Sequence, residues 1–440
     1  MRKTTSEMST GNPWWWIPTL YFAEGIPYFL VNTISVIMFK NMGMSNGELA
    51  MTTSLLYLPW VIKPFWSPFV DIIKTKRWWV VAMQALMSIG FFVLAFSVLS
   101  VPPKEELMTW SSTVGPFIPA LVIFWITAFA SATHDIAADG YYMLALDTHQ
   151  QSLFVGIRST FYRISSVFGQ GVLVVLAGYL EQTYGNVSRA WFWTLIVASV
   201  LFAGITLYHV FRLPKPIIDV ARKETSASGI MRNFVASFST FFRKKGVGVA
   251  LVFMLLYRLP EAFLVKMINP FFLDPVSEGG LGMTTQSVGL VYGTIGVIAL
   301  TIGGIVGGVF AARYGLKKSL WPMALSLALP CGVFVYLSMA QVTSIVPVAV
   351  CVALDQFGYG FGFTAYMLYM IYFSEGEFKT AHYSICTAFM ALSMMLPGLV
   401  AGYMQEMLGY VQYFWVVMVC CLATVAVTFA VKVDPEYGKQ

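Results

Sequence analysis

Long apolar stretches alternate with short polar ones along most of the chain. A helix needs about 20 predominantly apolar residues to cross a bilayer, and twelve windows are long enough to do so. They cover 14–40, 48–71, 78–100, 116–146, 153–182 and 189–211, and then 247–273, 285–312, 319–340, 344–373, 380–406 and 410–432. The pattern therefore predicts an all-α integral membrane protein with twelve transmembrane helices.

The amino-acid composition also indicates a protein that is surrounded by lipid. The 440 residues are 58% hydrophobic and only 11% charged, whereas soluble domains carry about 25% charged residues. The five cysteines all lie in apolar windows and lack the spacing of metal ligands. We therefore expect neither a metal site nor a cofactor.

Positive charge is concentrated on one side of the predicted bundle. The polar segment 212–246 holds eight Lys or Arg against two acidic residues, and the basic loops alternate with loops that carry few cations. Because Lys and Arg accumulate in cytoplasmic loops, both termini and this central segment are predicted to be cytoplasmic. Topology accounts for the net charge of +6, so we expect no nucleic-acid partner.

The central segment divides the chain into two similar halves, 1–211 and 247–440. Phe29-Leu-Val-Asn32 matches Phe263-Leu-Val-Lys266, and Tyr142-Met-Leu144 matches Tyr366-Met-Leu368. Fourteen residues after each of those last leucines stand Arg158 and His382. Duplicated six-helix halves around a central cavity resemble the major facilitator superfamily.

A signature of that superfamily is a glycine, acid and basic cluster after the second span of each half. Residues 308–318 resemble it, with Ala312 in place of the acid, while residues 67–77 keep the acid and lose the glycines. We interpret these clusters as a charge latch that forms in one conformation only; the alternative is that the cations merely fix topology. The candidate latch residues are Asp71, Lys76, Arg77, Arg313 and Lys317.

Several ionisable residues fall inside the apolar windows. Each costs roughly 3 kcal/mol at a helix centre on insertion scales, so such residues usually face a wet interior and act there. The candidates are Glu24, Lys63, Asp135, Asp139, Arg158, Arg163, Arg258, Glu261, Lys266, Asp355 and His382.

Asp135 and Asp139 lie four residues apart and share one helix face. A carboxyl that takes up a proton on one side of the membrane and releases it on the other would couple transport to protons, and Glu24 and Glu261 are further candidates for this role. The competing interpretation is a permanent ion cluster in which Arg158 and Arg163 neutralise the two aspartates.

The intramembrane cations suit an anionic solute. Arg258 and Glu261 are three residues apart and are expected to pair, Pro260 is expected to bend their helix, and Glu24 to Pro27 are expected to break the first one. The repeat adds Asn32, which matches Lys266, and His382, which matches Arg158. The candidate substrate-binding residues are Lys63, Arg158, Arg163, Arg258, Lys266, Asn32 and His382.

Specific motifs in spans one to seven resemble the AmpG-type muropeptide permeases, a family related to the acetyl-CoA transporters. They are Phe22-Ala-Glu-Gly-Ile-Pro27, Lys63-Pro-Phe-Trp-Ser-Pro-Phe-Val-Asp71, Ser131-Ala-Thr-His-Asp-Ile-Ala-Ala-Asp139, Tyr162-Arg163 and Leu256-Tyr-Arg-Leu-Pro-Glu-Ala-Phe263. The resemblance implies proton-driven import of anhydro-muropeptides, and location in a bacterial inner membrane. It also places Asp135, Asp139, Lys63, Arg258 and Glu261 at family-pattern positions. His134 and the Tyr141-Tyr142-Met143 run depart from the family pattern, which leaves the exact substrate open.

We therefore expect a monomeric secondary transporter that alternates between two states and carries an amino-sugar solute with protons. One alternative keeps the fold and changes the cargo to another oligosaccharide or a nucleotide thioester such as acetyl-CoA. The other is a membrane-embedded enzyme or a sensor. The chain has no phosphate-binding Gly-x-x-x-x-Gly-Lys-Ser/Thr loop, which disfavours an ATP-driven pump.

Overall fold

The protein is an antiparallel bundle of long helices, seen here in a computed structural model. The structure describes residues 12–107, 109–146, 148–215, 219, 227–376, 378–435 and 437. Within these ranges the regular structure is entirely helical. The predicted all-α class is confirmed.

Within the described ranges six long helices precede the central segment and six follow it. The first six are α1 (Pro13–Asn41), α2 (46–72), α3 (Lys76–Val98), α4 (Gly115–Ala145), α5 (148–184) and α6 (Val187–Arg212). The second six are α7 (Val247–Leu273), α8 (285–314), α9 (316–340), α10 (Ile345–Ser374), α11 (379–408) and α12 (410–430). All but α2 lie in stretches that are long and apolar enough to cross a membrane, and each of the twelve predicted windows overlaps one helix.

Two glycines separate helices that would otherwise run together. Gly315 between α8 and α9, and Gly409 between α11 and α12, both have φ 76°. This left-handed backbone is accessible to glycine at little steric cost, so the chain reverses there without a longer loop.

The helices that face the centre of the bundle are irregular. α2 is interrupted at Leu56–Tyr57 and α7 at Tyr257–Arg258, while π-helical turns widen α1 at Leu30–Ile34, α5 at Val167–Leu173 and α8 at Val291–Gly296. The break expected at Glu24 to Pro27 is displaced: the α-helix runs through Pro27 to Phe29 before it widens. Such turns are frequent at functional sites.

The central segment contains a helix that the hydropathy pattern did not predict, Ala227–Phe242, called here the linker helix. Its Phe241 ring packs on the His382 ring of α11 at 5.5 Å. Residues 216–218 and 220–226 lie outside the described residues, so the division into two domains and a linker stays a prediction.

Candidate functional site

A cavity of about 700 Å³ lies between the two halves of the bundle. Its wall is formed by α1, α2 and α5 of the first half and by α7, α8, α10 and α11 of the second. The charged side chains on this wall are Glu24, Lys63, Arg158, Arg163, Arg258 and Glu261. Four cations therefore face two carboxylates among the described lining residues, and the wall favours an anionic guest.

The first half gathers its charges in one cluster. Arg158 of α5 pairs with Asp139 of α4 at 2.6 Å, and its guanidinium lies 4.5 Å from the centre of the Tyr21 ring. Asp135, one turn before Asp139, accepts a 3.0 Å hydrogen bond from the Trp60 indole. Asp139 thus has an ion-pair partner, whereas Asp135 has a neutral donor.

Glu24 lies on α1 beside this cluster and is only 9% exposed. One of its carboxylate oxygens, Oε2, has no hydrogen-bond partner in the described part of the chain. Lys63 of α2 lines the same cavity as Glu24. Four helices, α1, α2, α4 and α5, therefore bring their ionisable residues together.

The second half holds a smaller set of charges, and the expected pair of Arg258 with Glu261 is not among the ion pairs of the described residues. Arg258 donates instead to the Tyr359 hydroxyl and stacks 4.7 Å from the Phe363 ring centre. The helical spacing that would bring the pair together is lost because α7 is interrupted at Arg258, whose φ and ψ are −103° and 15°. Glu261 is 2% exposed, and its Oε2 has no partner among the described residues.

Two predicted substrate-binding residues lie off the cavity wall. Lys266 is 1% exposed and reaches from α7 into α2, where it donates to the Thr53 hydroxyl at 3.3 Å and lies over the Tyr57 ring at 5.0 Å. His382 bonds the Ser237 carbonyl and the Thr240 hydroxyl of the linker helix, both at 3.1 Å. Both join parts of the fold that are distant in sequence.

Arg163 and Asn32 do line the cavity, as the prediction requires. Arg163 leans toward the second half, because a Cβ added to Gly304 of α8 would lie 3.0 Å from its guanidinium. Among the described residues Arg163 makes no ion pair with either aspartate, so the competing interpretation, a permanent ion cluster, has only Arg158 in place.

Sequence reasoning missed three carboxamides on the same wall: Gln170, Asn269 and Gln356. They stand inside apolar windows, and the signal was available, since an amide in a membrane span is also costly when unpaired. Aromatic rings complete the wall: Tyr21, Tyr28, Phe29, Tyr57, Trp60, Tyr162, Tyr292, Tyr359 and Phe363.

One face of the bundle is closed by contacts between the halves. We call the face that holds the linker helix the basic face and the other the opposite face. At the opposite face Lys40, at the end of α1, pairs with Asp274, directly after α7, at 2.5 Å. Tyr410 donates to Asp274 at 2.6 Å and Asn46 does so at 3.1 Å, while Asn46 also donates to Gln405 at 2.7 Å. We call Lys40, Asn46, Asp274, Gln405 and Tyr410 the opposite-face latch.

Glycines let the backbones of the two halves touch beside this latch. A Cβ on Gly402 of α11 would lie 1.8 Å from the Asn46 carbonyl oxygen of α2, and one on Gly293 of α8 would lie 1.9 Å from the Gln170 carbonyl oxygen of α5. No real Cβ fits at such distances. The opposite-face halves of α2 with α11, and of α5 with α8, are therefore in backbone contact.

The latch predicted for the basic face has different partners where it is described. The backbone N–H groups of Lys76 and Arg77 donate to Asp219 at 2.7 and 3.0 Å, and the Arg77 guanidinium donates to the carbonyls of Leu213 and Val210 at the end of α6. Arg313 and Lys317 are exposed, and the side chain of Asp71 lies outside the described residues. The basic-face latch stays a prediction.

A helical bundle with a charged cavity between two halves, closed at one face, has the architecture of a membrane transporter. The family model of the Major Facilitator Superfamily matches residues 19–377, and the chain belongs to that superfamily. The predicted fold is confirmed, and the chain is a multi-pass membrane transporter.

Curated relatives extend the comparison over nearly the whole chain. A protein of Rickettsia conorii named putative transporter AmpG 4 is 23% identical over 92% of this chain and 92% of its own length. The anhydromuropeptide permease of Escherichia coli K12 is 22% identical over 90% of this chain and 74% of its own. The resemblance to AmpG-type permeases, first seen in the motifs, is thus confirmed by similarity over most of the chain.

Solved structures show the same fold at low identity. The nucleoside transporter NupG superposes with a TM-score of 0.67 at 18% identity, over 94% of this chain and 96% of that one. A D-xylose–proton symporter superposes with a TM-score of 0.68 at 13% identity, over 97% and 98% of the two chains.

Proposed function

We propose that the protein is a proton-coupled importer of anhydro-muropeptides or closely related amino-sugar solutes. The observation that carries the proposal is the make-up of the cavity wall, on which Lys63, Arg158, Arg163 and Arg258 stand among aromatic rings and carboxamides. Cations suit the carboxylates of a short peptide, and aromatic rings and amides suit a sugar. The name of the Escherichia coli relative, anhydromuropeptide permease, points to the same cargo.

The closed opposite face supports transport by alternating access. The basic face carries the Lys- and Arg-rich loops, so the positive-inside bias assigns it to the cytoplasm. On this proposal the state described is inward-facing, and the opposite-face latch separates the cavity from the exterior. Import requires a second state in which that latch is open.

Proton coupling is assigned to the carboxyls at the cavity. Glu24 and Glu261 are almost fully buried and lie outside any described ion pair, and a buried unpaired carboxylate is costly. Taking up a proton relieves that cost, and exposure to a different compartment in the second state allows the proton to leave. Asp139 is included in this proton-coupling set because it pairs with Arg158. An anionic substrate competes with Asp139 for that cation.

Uptake into proteoliposomes tests the proposal. Purified protein is reconstituted, an inward proton gradient is imposed, and labelled anhydro-muropeptide, cellobiose and acetyl-CoA are compared. We expect accumulation of the muropeptide that collapses with a protonophore, and none of cellobiose or acetyl-CoA. Accumulation of acetyl-CoA alone would establish the alternative cargo, and muropeptide uptake that ignores the gradient would contradict proton coupling.

A further inference from the structure

The cavity wall changes character with depth. Its charged residues lie around the middle of the bundle, and its carboxamides lie closer to the opposite face. Eight residues separate Glu24 from Asn32 on α1, and eight separate Glu261 from Asn269 on α7. At 1.5 Å per residue, each amide is about 12 Å deeper than the carboxyl of the same helix.

Four carboxamides form this deep end, two from each half: Asn32, Gln170, Asn269 and Gln356, called here the carboxamide floor. In three of them the amide nitrogen donates a hydrogen bond to a residue nearby in the sequence. Asn32 donates to the Tyr28 carbonyl at 3.0 Å, Gln170 to the Ser166 hydroxyl at 2.8 Å, and Gln356 to the Asp355 carboxylate at 3.0 Å.

The bond to Tyr28 fixes which end of the Asn32 amide is left over. A backbone carbonyl accepts and cannot donate, so the group that bonds Tyr28 is the NH₂ end of the amide. The oxygen end is then left without a donor. Asn32 Oδ1 and Asn269 Oδ1 are buried and have no hydrogen-bond partner in the described part of the chain. The two residues are themselves only 6% and 2% exposed.

Buried acceptors without donors are costly, and a ligand that supplies donors removes the cost. We infer that the carboxamide floor recognises an uncharged group rich in O–H and N–H donors, such as a sugar ring, and that it excludes a carboxylate. This inference rests on the proposed function and adds an orientation to it. The sugar end of the cargo lies toward the opposite face, and its anionic end lies toward Lys63 and Arg163.

Two π-helical turns strengthen the assignment. Asn32 lies on the turn Leu30–Ile34 and Gln170 on the turn Val167–Leu173. A π turn adds one residue to the helical register and so turns the following side chains. Asn32 and Gln170 therefore lie where the helical register changes, and such turns are frequent at functional sites.

The test uses the full-length protein in detergent and two probes. N,N′-diacetylchitobiose is neutral and rich in donors, whereas an anhydro-muropeptide adds carboxylates. Binding constants are measured by calorimetry for the wild type, Asn32→Leu, Asn269→Leu and Lys63→Met, with Gln412→Leu as the control. Gln412 is an exposed carboxamide outside the cavity wall.

We expect Asn32→Leu and Asn269→Leu to weaken binding of both probes at least tenfold, and Lys63→Met to weaken only the muropeptide. The Tm of the unliganded protein should hold or rise in Asn269→Leu, because its Oδ1 loses no partner; a structural role would lower it. Equal binding by the wild type and both floor variants would overturn the inference.

The outcomes separate the two proposals. If the wild type binds chitobiose but not the muropeptide, the cargo assignment fails and the floor is supported by its two variants. If the muropeptide binds and the floor variants leave it unchanged, the cargo stands and the inference fails. If neither probe binds, both fail.

Discussion

The two faces of the bundle hold its halves together by different means. At the opposite face the backbones of α2 and α11, and of α5 and α8, are in contact, and a buried ion pair joins Lys40 to Asp274. At the basic face the linker helix supplies the contact, with Phe234 and Phe238 lying 6.3 and 5.5 Å from the Phe65 ring of α2.

The difference shows how one chain can hold two states. Helices whose backbones touch at glycines either stay in contact or separate, and they have no intermediate arrangement. Ring contacts through a tethered helix tolerate sliding. We therefore expect the opposite face to act as the two-state element and the basic face to adjust to it.

The largest expected effect concerns the ion pair that Asp139 makes with Arg158 of the cavity wall. Asp139→Asn keeps a hydrogen-bonding side chain beside Arg158 and removes the charge of a 2.6 Å ion pair. We expect gradient-driven uptake to fall to the level of empty liposomes while the protein still folds and elutes as a single species. Normal accumulation by this variant would show that Asp139 has a structural role only.

Closure of the opposite face is the next target. Gly402→Ala and Gly293→Ala place a methyl within 2 Å of a backbone oxygen in the other half. Overpacking costs about 1–3 kcal/mol, which is enough to shift the two states roughly tenfold to a hundredfold toward the outward-open one. Spin-label distances across α2 and α11 measure the shift.

A matched control lies on the same helix as Gly293. A Cβ added to Gly308 of α8 would meet nothing within 4 Å. Gly308→Ala should leave the distances unchanged, and an equal shift in this variant would mean that the glycine contacts do not set the equilibrium.

The opposite-face latch should have a moderate effect. Asp274→Asn keeps acceptors for Tyr410 and Asn46 but removes the charge that holds Lys40. We expect a shift of about tenfold, or about 1.4 kcal/mol, toward the outward-open state. Glu375→Gln is the control, since the Glu375–Lys379 pair is 4.0 Å long and more than half exposed, and exposed pairs contribute little.

The linker helix should have the smallest effect. Phe65→Ala removes its ring contacts with Phe234 and Phe238. We expect uptake within about fivefold of the wild type, since Phe65 is 57% exposed and two ring pairs at the low end of the range, about 0.5 kcal/mol each, amount to about 1 kcal/mol. A complete loss of uptake would show that the linker helix, and not the opposite face, controls the transition.

The fold was predictable because membrane helices carry their signal locally. The apolar windows located all twelve helices of the bundle, α1 to α12, and charges within them pointed to the wall at Glu24, Lys63 and Arg158. The linker helix was missed because its surroundings are polar, although it packs an apolar face on α11.

The contacts between the halves were not predictable in the same way. Lys40 and Asp274 are far apart in sequence, and no local pattern indicates that they meet. Arg258 and Glu261 were expected to pair from helical spacing, which fails where α7 is interrupted. Lys266 was expected at the cavity and lies instead against α2.

Access to the cavity tests the central claim most directly. A single cysteine replaces Ser159, an exposed residue of the cavity wall, after Cys331, Cys351, Cys386, Cys420 and Cys421 have been substituted. A membrane-impermeant thiol reagent is then added to vesicles of either orientation. Labelling from the cytoplasmic side alone, and from the exterior once Gly402→Ala is added, is the predicted result. Equal labelling from both sides without that substitution would contradict the account.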